Sequence, residues 1–141
     1  MRYWDSSAIL PLVVNESQSV SMLALIDRDP AIVTWWATHV ECVSALARLE
    51  RDKSLDARAM RAALTRLDAL GRQWIEVPAL DDVRTHATRL LRTHALRAAD
   101  ALQLAAAIIA SNFEPAALTV VSLDTRLADA AEREGFSVLA G

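Results

Sequence analysis

With 141 residues, 53% of them hydrophobic and 23% charged, the chain has the length of one domain and can bury about two thirds of its unfolded surface without staples. The single cysteine, Cys42, excludes an intrachain disulfide and a thiolate cage. The longest uncharged apolar stretch, 101–113, is shorter than the roughly 20 residues a bilayer span needs, so a cytoplasmic protein is expected.

Residues 2–5 open the chain as a short strand carrying Tyr3 and Trp4, ended by the helix-capping cluster Asp5-Ser6-Ser7. Helices over 8–14 and 18–28 follow. Asp29-Pro30 marks a turn, 31–34 a β-branched strand, and 37–53 a helix with Val40, Val43, Leu46, Ala47 and Leu49 along it. A helix over 56–70, with Gly71 as its stop, precedes a strand over 74–77 closed by Pro78. Helices over 81–93 and 98–111, a strand over 119–123, a helix over 125–134 stopped by Gly135 and a strand over 137–139 complete the order. This alternation predicts an α/β fold of one domain over 1–141, a three-layer α/β/α arrangement with helices on both faces of a short, mainly parallel sheet. Ligands of such sheets sit beyond the carboxyl ends of the strands.

Asp5, Glu41, Asp100 and Asp124 each stand in or at the end of an apolar run, with no Lys or Arg partner in that run. An ionised carboxylate taken out of water loses several kcal/mol unless a cation or hydrogen bonds compensate it. The helix over 98–111 is apolar nearly all round, which places it in the core with Asp100 as its only charge. The helix dipole returns about 0.3–1 kcal/mol in the first turn, too little to offset burial. Asp5 closes the first strand and Asp124 follows the strand over 119–123, so both belong to the ligand-binding edge. Singly, Asp5 and Asp124 read equally well as helix caps and Glu41 as a solvated helix position; together the four point to a bound cation.

Oxygen donors without imidazole or thiolate neighbours select Mg²⁺ or Mn²⁺. His39, His86 and His94 lack ligand spacing and are expected as partly exposed helix residues. Such an ion favours substrates that bring phosphate oxygens, hence phosphodiester or phosphoryl chemistry. With Gly71, Gly135 and Gly141 as the only glycines, a P-loop and a dinucleotide fingerprint are excluded, and Cys42 in mid-helix is expected in the core. The net charge of −3 speaks against a nucleic-acid partner only while every carboxylate is counted as free. Fourteen arginines against the single Lys53 suit phosphate recognition, although GC-rich coding also favours arginine.

Four segments carry a wider likeness: Asp5-Ser6-Ser7-Ala8-Ile9-Leu10; Glu41 with Ser44, Ala45, Leu46 and Arg48; His94-Ala95-Leu96-Arg97-Ala98-Ala99-Asp100-Ala101-Leu102-Gln103-Leu104-Ala105; and Val121-Ser122-Leu123-Asp124-Thr125-Arg126-Leu127. On these, over its whole length, the chain resembles PIN domains, specifically the VapC-type toxins of bacterial toxin–antitoxin pairs. The resemblance implies a PIN-like fold and a Mg²⁺- or Mn²⁺-dependent endoribonuclease. Asp5, Glu41, Asp100 and Asp124 fall on the family's acidic quartet, with Asp5, Asp100 and Asp124 as metal ligands. Many relatives carry a further acid or Asn just beyond the last Asp, where this chain has Thr125 and Arg126. One ion held firmly and a second arriving with RNA fits that departure.

Ser7 matches the family's hydroxyl beside the first Asp, where it orients a carboxylate or meets substrate; it also reads as a helix cap. Arg97 meets a phosphate or neutralises the acidic cluster, or is a solvated surface residue. Trp35-Trp36 stack on a base or pack into the core or a partner interface. The resemblance also implies a homodimer and a small cognate antitoxin, and the helices over 18–28 and 37–53 offer it apolar positions at Val20, Leu23, Leu25, Ile26, Val40, Val43, Leu46 and Leu49. The competing reading is a non-catalytic signalling or scaffold domain with an acidic pocket. Receivers of that kind pair their acids with a Lys at the same edge, whereas Lys53 ends a helix remote from it.

Overall fold

The computed structural model describes residues 1–140. Short runs of β-branched and aromatic residues form five strands, β1 (Arg2–Trp4), β2 (Ile32–Trp35), β3 (Ile75–Val77), β4 (Thr119–Val121) and β5 (Ser137–Leu139). All pair in parallel, in the order β3-β2-β1-β4-β5. The helices are α1 (Ser6–Val13), α2 (Ser19–Arg28), α3 (Thr38–Arg51), α4 (Ala57–Gly71), α5 (Asp81–Thr93), α6 (Ala98–Ala110) and α7 (Thr125–Arg133). Among the described residues no helix is long and apolar enough to cross a membrane.

Successive strand residues point to opposite faces, and the sequence uses both. Tyr3, Val33 and Val120 join Leu90, Leu104 and Leu127 in a core beneath α5, α6 and α7. Trp4, Ile32 and Val121 join Ile9, Met22, Leu46 and Leu67 in a second core beneath α1 to α4. The expected three layers follow from this double burial. The chain lays β1, β2 and β3 outward on one side and then returns to add β4 and β5 on the other. Strand order therefore reverses between β1 and β4, and the crevice beyond their carboxyl ends is where such sheets bind ligands.

Element ends differ from expectation in instructive ways. Gly71 does not stop α4 from a left-handed position; it is the helix's last residue, and Arg72 caps the end in a helical conformation. Gly135 does act as expected, with φ of 98°. The Gly135 amide bonds to Glu132 and the Phe136 amide reaches back to the Ala131 carbonyl at 3.0 Å, a closed C-terminal motif. His94 is not a partly exposed helix residue. It follows α5 in extended conformation with its side chain 7% exposed, and Nε2 lies 2.7 Å from Glu134. Arg89 grips the same carboxylate through two bonds of 2.8 and 3.1 Å and is the main cause holding its pKa below the ordinary range. His39 and His86 remain partly exposed on α3 and α5.

The two glycines make opposite expectations. An added Cβ at Gly135 meets only Pro115 at 3.7 Å, so the penalty of Gly135→Ala is conformational, about 1–2 kcal/mol. Gly71→Ala should gain up to about 1 kcal/mol, because the helical residue has ordinary room beside Trp74 at 3.4 Å. Urea denaturation of both variants checks the opposite signs.

Candidate active site

Asp5 leaves β1 at the switch point, where its backbone N–H donates to the Val121 carbonyl at 3.2 Å and so binds the first turn to β4. Its side chain is the N-cap of α1, accepting from the Ala8 N–H at 3.3 Å and the Ser7 hydroxyl at 2.7 Å. Ser7 Oγ in turn accepts the Leu123 N–H at 2.8 Å, which ties the β1–α1 turn to the β4–α7 turn. Asp5 is 3% exposed. Burial pushes its acid up to about 7 against the hydrogen bonds from Ser7 and Ala8, and the Asp124 charge adds to the rise.

Glu41 lies in the first turn of α3, where its Oε2 accepts from Ser6 Oγ at 2.8 Å and Gln103 Nε2 at 3.0 Å. Burial raises its pKa, and the Asp100 charge adds to that. Asp100, in the first turn of α6, accepts the Arg97 N–H at 3.2 Å. It is half-buried with Ala98 and Ala99 exposed beside it, so the core begins one residue later than the apolar run implied. Asp124 is half-buried too and caps α7 through the N–H groups of Arg126 at 2.9 Å and Leu127 at 3.0 Å.

The structure brings all four carboxylates together around one cavity of about 570 Å³, with Ser6, Ser7, Leu10, Val40, Arg48 and Gln103 also on its wall. Asp100 and Asp124 also face a second cavity of about 360 Å³, lined by Arg97, Leu123, Thr125 and Arg126. Among the described residues no Lys, Arg or His forms an ion pair with any of the four. Nor do any three acidic, His or Cys side chains stand close enough to grip an ion as placed. The bonds above explain the spacing: Asp5 and Asp124 each cap a helix, and Asp100 holds the backbone N–H of Arg97, the N-cap of α6, so each carboxylate is tied to the head of a different helix. The donor set still fits a hard divalent cation. It is all oxygen, it lacks a compensating cation, and burial of Asp5 in that state has driven its proton affinity up. Cys42 takes no part; burial pushes its thiol up to about 12.

Four further residues matter that the charge pattern did not single out. Gln103, 2% exposed, accepts from Tyr3 Oη at 2.7 Å and donates from Nε2 to Thr38 Oγ1 at 3.1 Å as well as to Glu41. With Ser6 they form a polar seam from the core to the acid. The signal was present: Gln103 is the polar residue three positions beyond Asp100 on the same apolar helix, and helical spacing puts the two on one face.

The tryptophans divide. Trp35 is core, whereas Trp36 is 58% exposed, and neither lines the two cavities. Of the apolar positions on α2 and α3, Val20, Leu23 and Val40 are exposed, while Leu46 is buried. An apolar cavity of about 280 Å³ joins Leu23 and Ile26 to Leu12 of α1 and Leu70 of α4.

The family model described as PIN domain matches residues 2–133. Ribonuclease VapC45 and Ribonuclease VapC49, both of Mycobacterium tuberculosis, are each 31% identical over 136 residues, 96% of this chain and 92% of theirs. FitAcB from Neisseria gonorrhoeae is similar in structure, with a TM-score of 0.69 at 19% identity, covering 99% of this chain and 96% of that one. PAE2754 from Pyrobaculum aerophilum gives a TM-score of 0.60 at 21% identity, covering 92% and 84%. At those identities the two structures show the shared fold.

Two substitutions test the site's energetics without reference to activity. Asp5 has an ordinary pKa of 3.8 and a folded one near 7, so the fold favours its protonated form. Its contribution to stability is therefore greatest below pH 3.8 and is lost as pH rises towards 7. Asp5→Asn should remove that fall and, in EDTA above neutral pH, melt higher than the parent chain by the equivalent of at least about 1 kcal/mol. Gln103→Leu should instead cost about 1–3 kcal/mol in urea denaturation, because it strands the buried Tyr3 hydroxyl and removes a donor from Glu41.

Proposed function

Because the chain belongs to the PIN-domain family, we propose that it is a Mg²⁺- or Mn²⁺-dependent endoribonuclease, the toxin of a toxin–antitoxin pair acting in the cytoplasm. One observation carries the reading: four carboxylates without a cationic partner converge on a single cavity at the sheet's switch point. The ribonuclease relatives support the substrate class, and the all-oxygen donor set supports the ion.

In this reading Asp5, Asp100 and Asp124 hold the cation, which relieves the charge that burial has made unfavourable at Asp5. When bound, the ion supplies Lewis-acid chemistry, making water more acidic and screening negative charge on the phosphate. Glu41 is the proton acceptor. Ser6 and Gln103 both bond its Oε2, so the carboxylate is fixed in direction while Oε1 stays free of them. Its raised proton affinity makes it the better base for attacking water. Ser7 keeps Asp5 turned towards the cavity, and Arg97, exposed beside Asp100, meets a phosphate of the RNA backbone. A small antitoxin fits the exposed face of α2 and the apolar cavity it shares with α1 and α4.

Purified protein should cleave single-stranded RNA with Mg²⁺ or Mn²⁺ and stop in excess EDTA. Asp100→Asn and Glu41→Gln should each lower kcat by about a hundredfold or more while remaining folded. Full cleavage by a metal-stripped preparation, or by both variants, would overturn the reading.

A further inference from the structure

We propose that the second cavity, where Arg97, Thr125 and Arg126 face Asp100 and Asp124, is a phosphate subsite for the phosphodiester neighbouring the one cleaved. The inference rests on the nuclease reading and adds which side of the acids the strand's backbone follows. The two cavities share Asp100 and Asp124, so a strand reacting over those carboxylates continues from one cavity into the other.

Their walls differ in balance: the larger cavity carries one arginine, Arg48, among apolar residues and serines, and the smaller carries two arginines and a single leucine. The larger cavity has Leu10, Ala37 and Val40 among its lining, surfaces suited to a ribose or base. The smaller one is lined by Arg97, Arg126 and Thr125, residues whose side chains are phosphate donors. Both arginines neighbour acids in sequence, yet neither forms an ion pair with Asp100 or Asp124 among the described residues. The backbone explains this. Asp100 takes the main-chain N–H of Arg97, and Asp124 takes that of Arg126, so each acid is satisfied by its arginine's backbone and the side chain is left for another anion. Arg89, by contrast, is fully engaged with Glu134. Positive charge is thus stationed beside the acids without neutralising them.

The test uses the intact protein in EDTA and RNA oligonucleotides spanning a mapped cleavage site, each with one phosphodiester replaced by a neutral methylphosphonate. Neutralising the linkage next to the cleaved one, on one side only, should weaken binding about tenfold. In Arg97→Ala/Arg126→Ala that selective penalty should vanish, and the slope of log affinity against log salt should become shallower by about 0.7 for each phosphate no longer neutralised. Both arginines are exposed, and an unchanged melting temperature verifies the fold. A double variant that keeps the selective penalty, or that binds every oligonucleotide as the parent does, overturns the subsite. So does one that loses only an acidic protein partner, because the cavity then serves to dock a protein. Absence of any RNA cleavage with Mn²⁺ would instead sink the nuclease reading itself.

Discussion

Burial of carboxylates at Asp5 and Glu41 beside Asp100 and Asp124, with no cation paired to any of them, is the constraint around which the site is arranged. Asp124 raises the proton affinity of Asp5, and Asp100 raises that of Glu41, in both cases on top of a larger effect of burial. A fold selected for stability alone would place Asn or an apolar residue at Asp5. The chain tolerates the carboxylates by giving each one hydrogen-bond donors from backbone or neutral side chains, never a cation. Neutral donors fix position without cancelling charge, so the cavity keeps its negative potential.

The polar seam through Gln103 extends this solution into the interior. Its amide is an uncharged adaptor: its oxygen takes the Tyr3 hydroxyl and its nitrogen serves both Thr38 and Glu41. The seam connects β1, α3 and α6, the elements carrying or preceding three of the four acids. Ser7 performs the corresponding task at the fourth by joining the turns after β1 and β4. The positions of the acids therefore depend on neutral hydrogen bonds whose loss would be felt in both folding and geometry.

Much of this was legible in the sequence because it rested on pattern. Alternation of strand and helix gave the layers, and four acids in apolar runs marked the edge where they meet. The structure corrected points set by tertiary contacts instead of local preference. His94 is drawn out of solvent by Glu134, which lies 40 residues away and carries no mark of that role in the sequence. Gly71 looked like a helix stop in the left-handed conformation, but it is helical itself, and Arg72 ends the helix without a positive φ. Asp100 was expected deeper than it is, since periodicity shows which face of α6 is apolar but not where along its axis the cover ends. That Leu23 and Ile26 share an apolar cavity with Leu70 of α4 is a matter of helix packing, invisible to any single helix's residues.

The central place of β1 has a consequence in time. Arg2 pairs on one side with Ile32 and on the other with Thr119. Closing so long a loop is slow compared with forming local helices, and synthesis delivers the chain amino end first at about 5–20 residues per second. Asp5 therefore emerges early on a strand whose second neighbour does not yet exist, and Asp124 arrives just behind that neighbour. No chain still short of Asp124 can bring the two carboxylates together. The crevice between them is therefore among the last features of the fold to be completed, because it needs β4 and the turn that follows it.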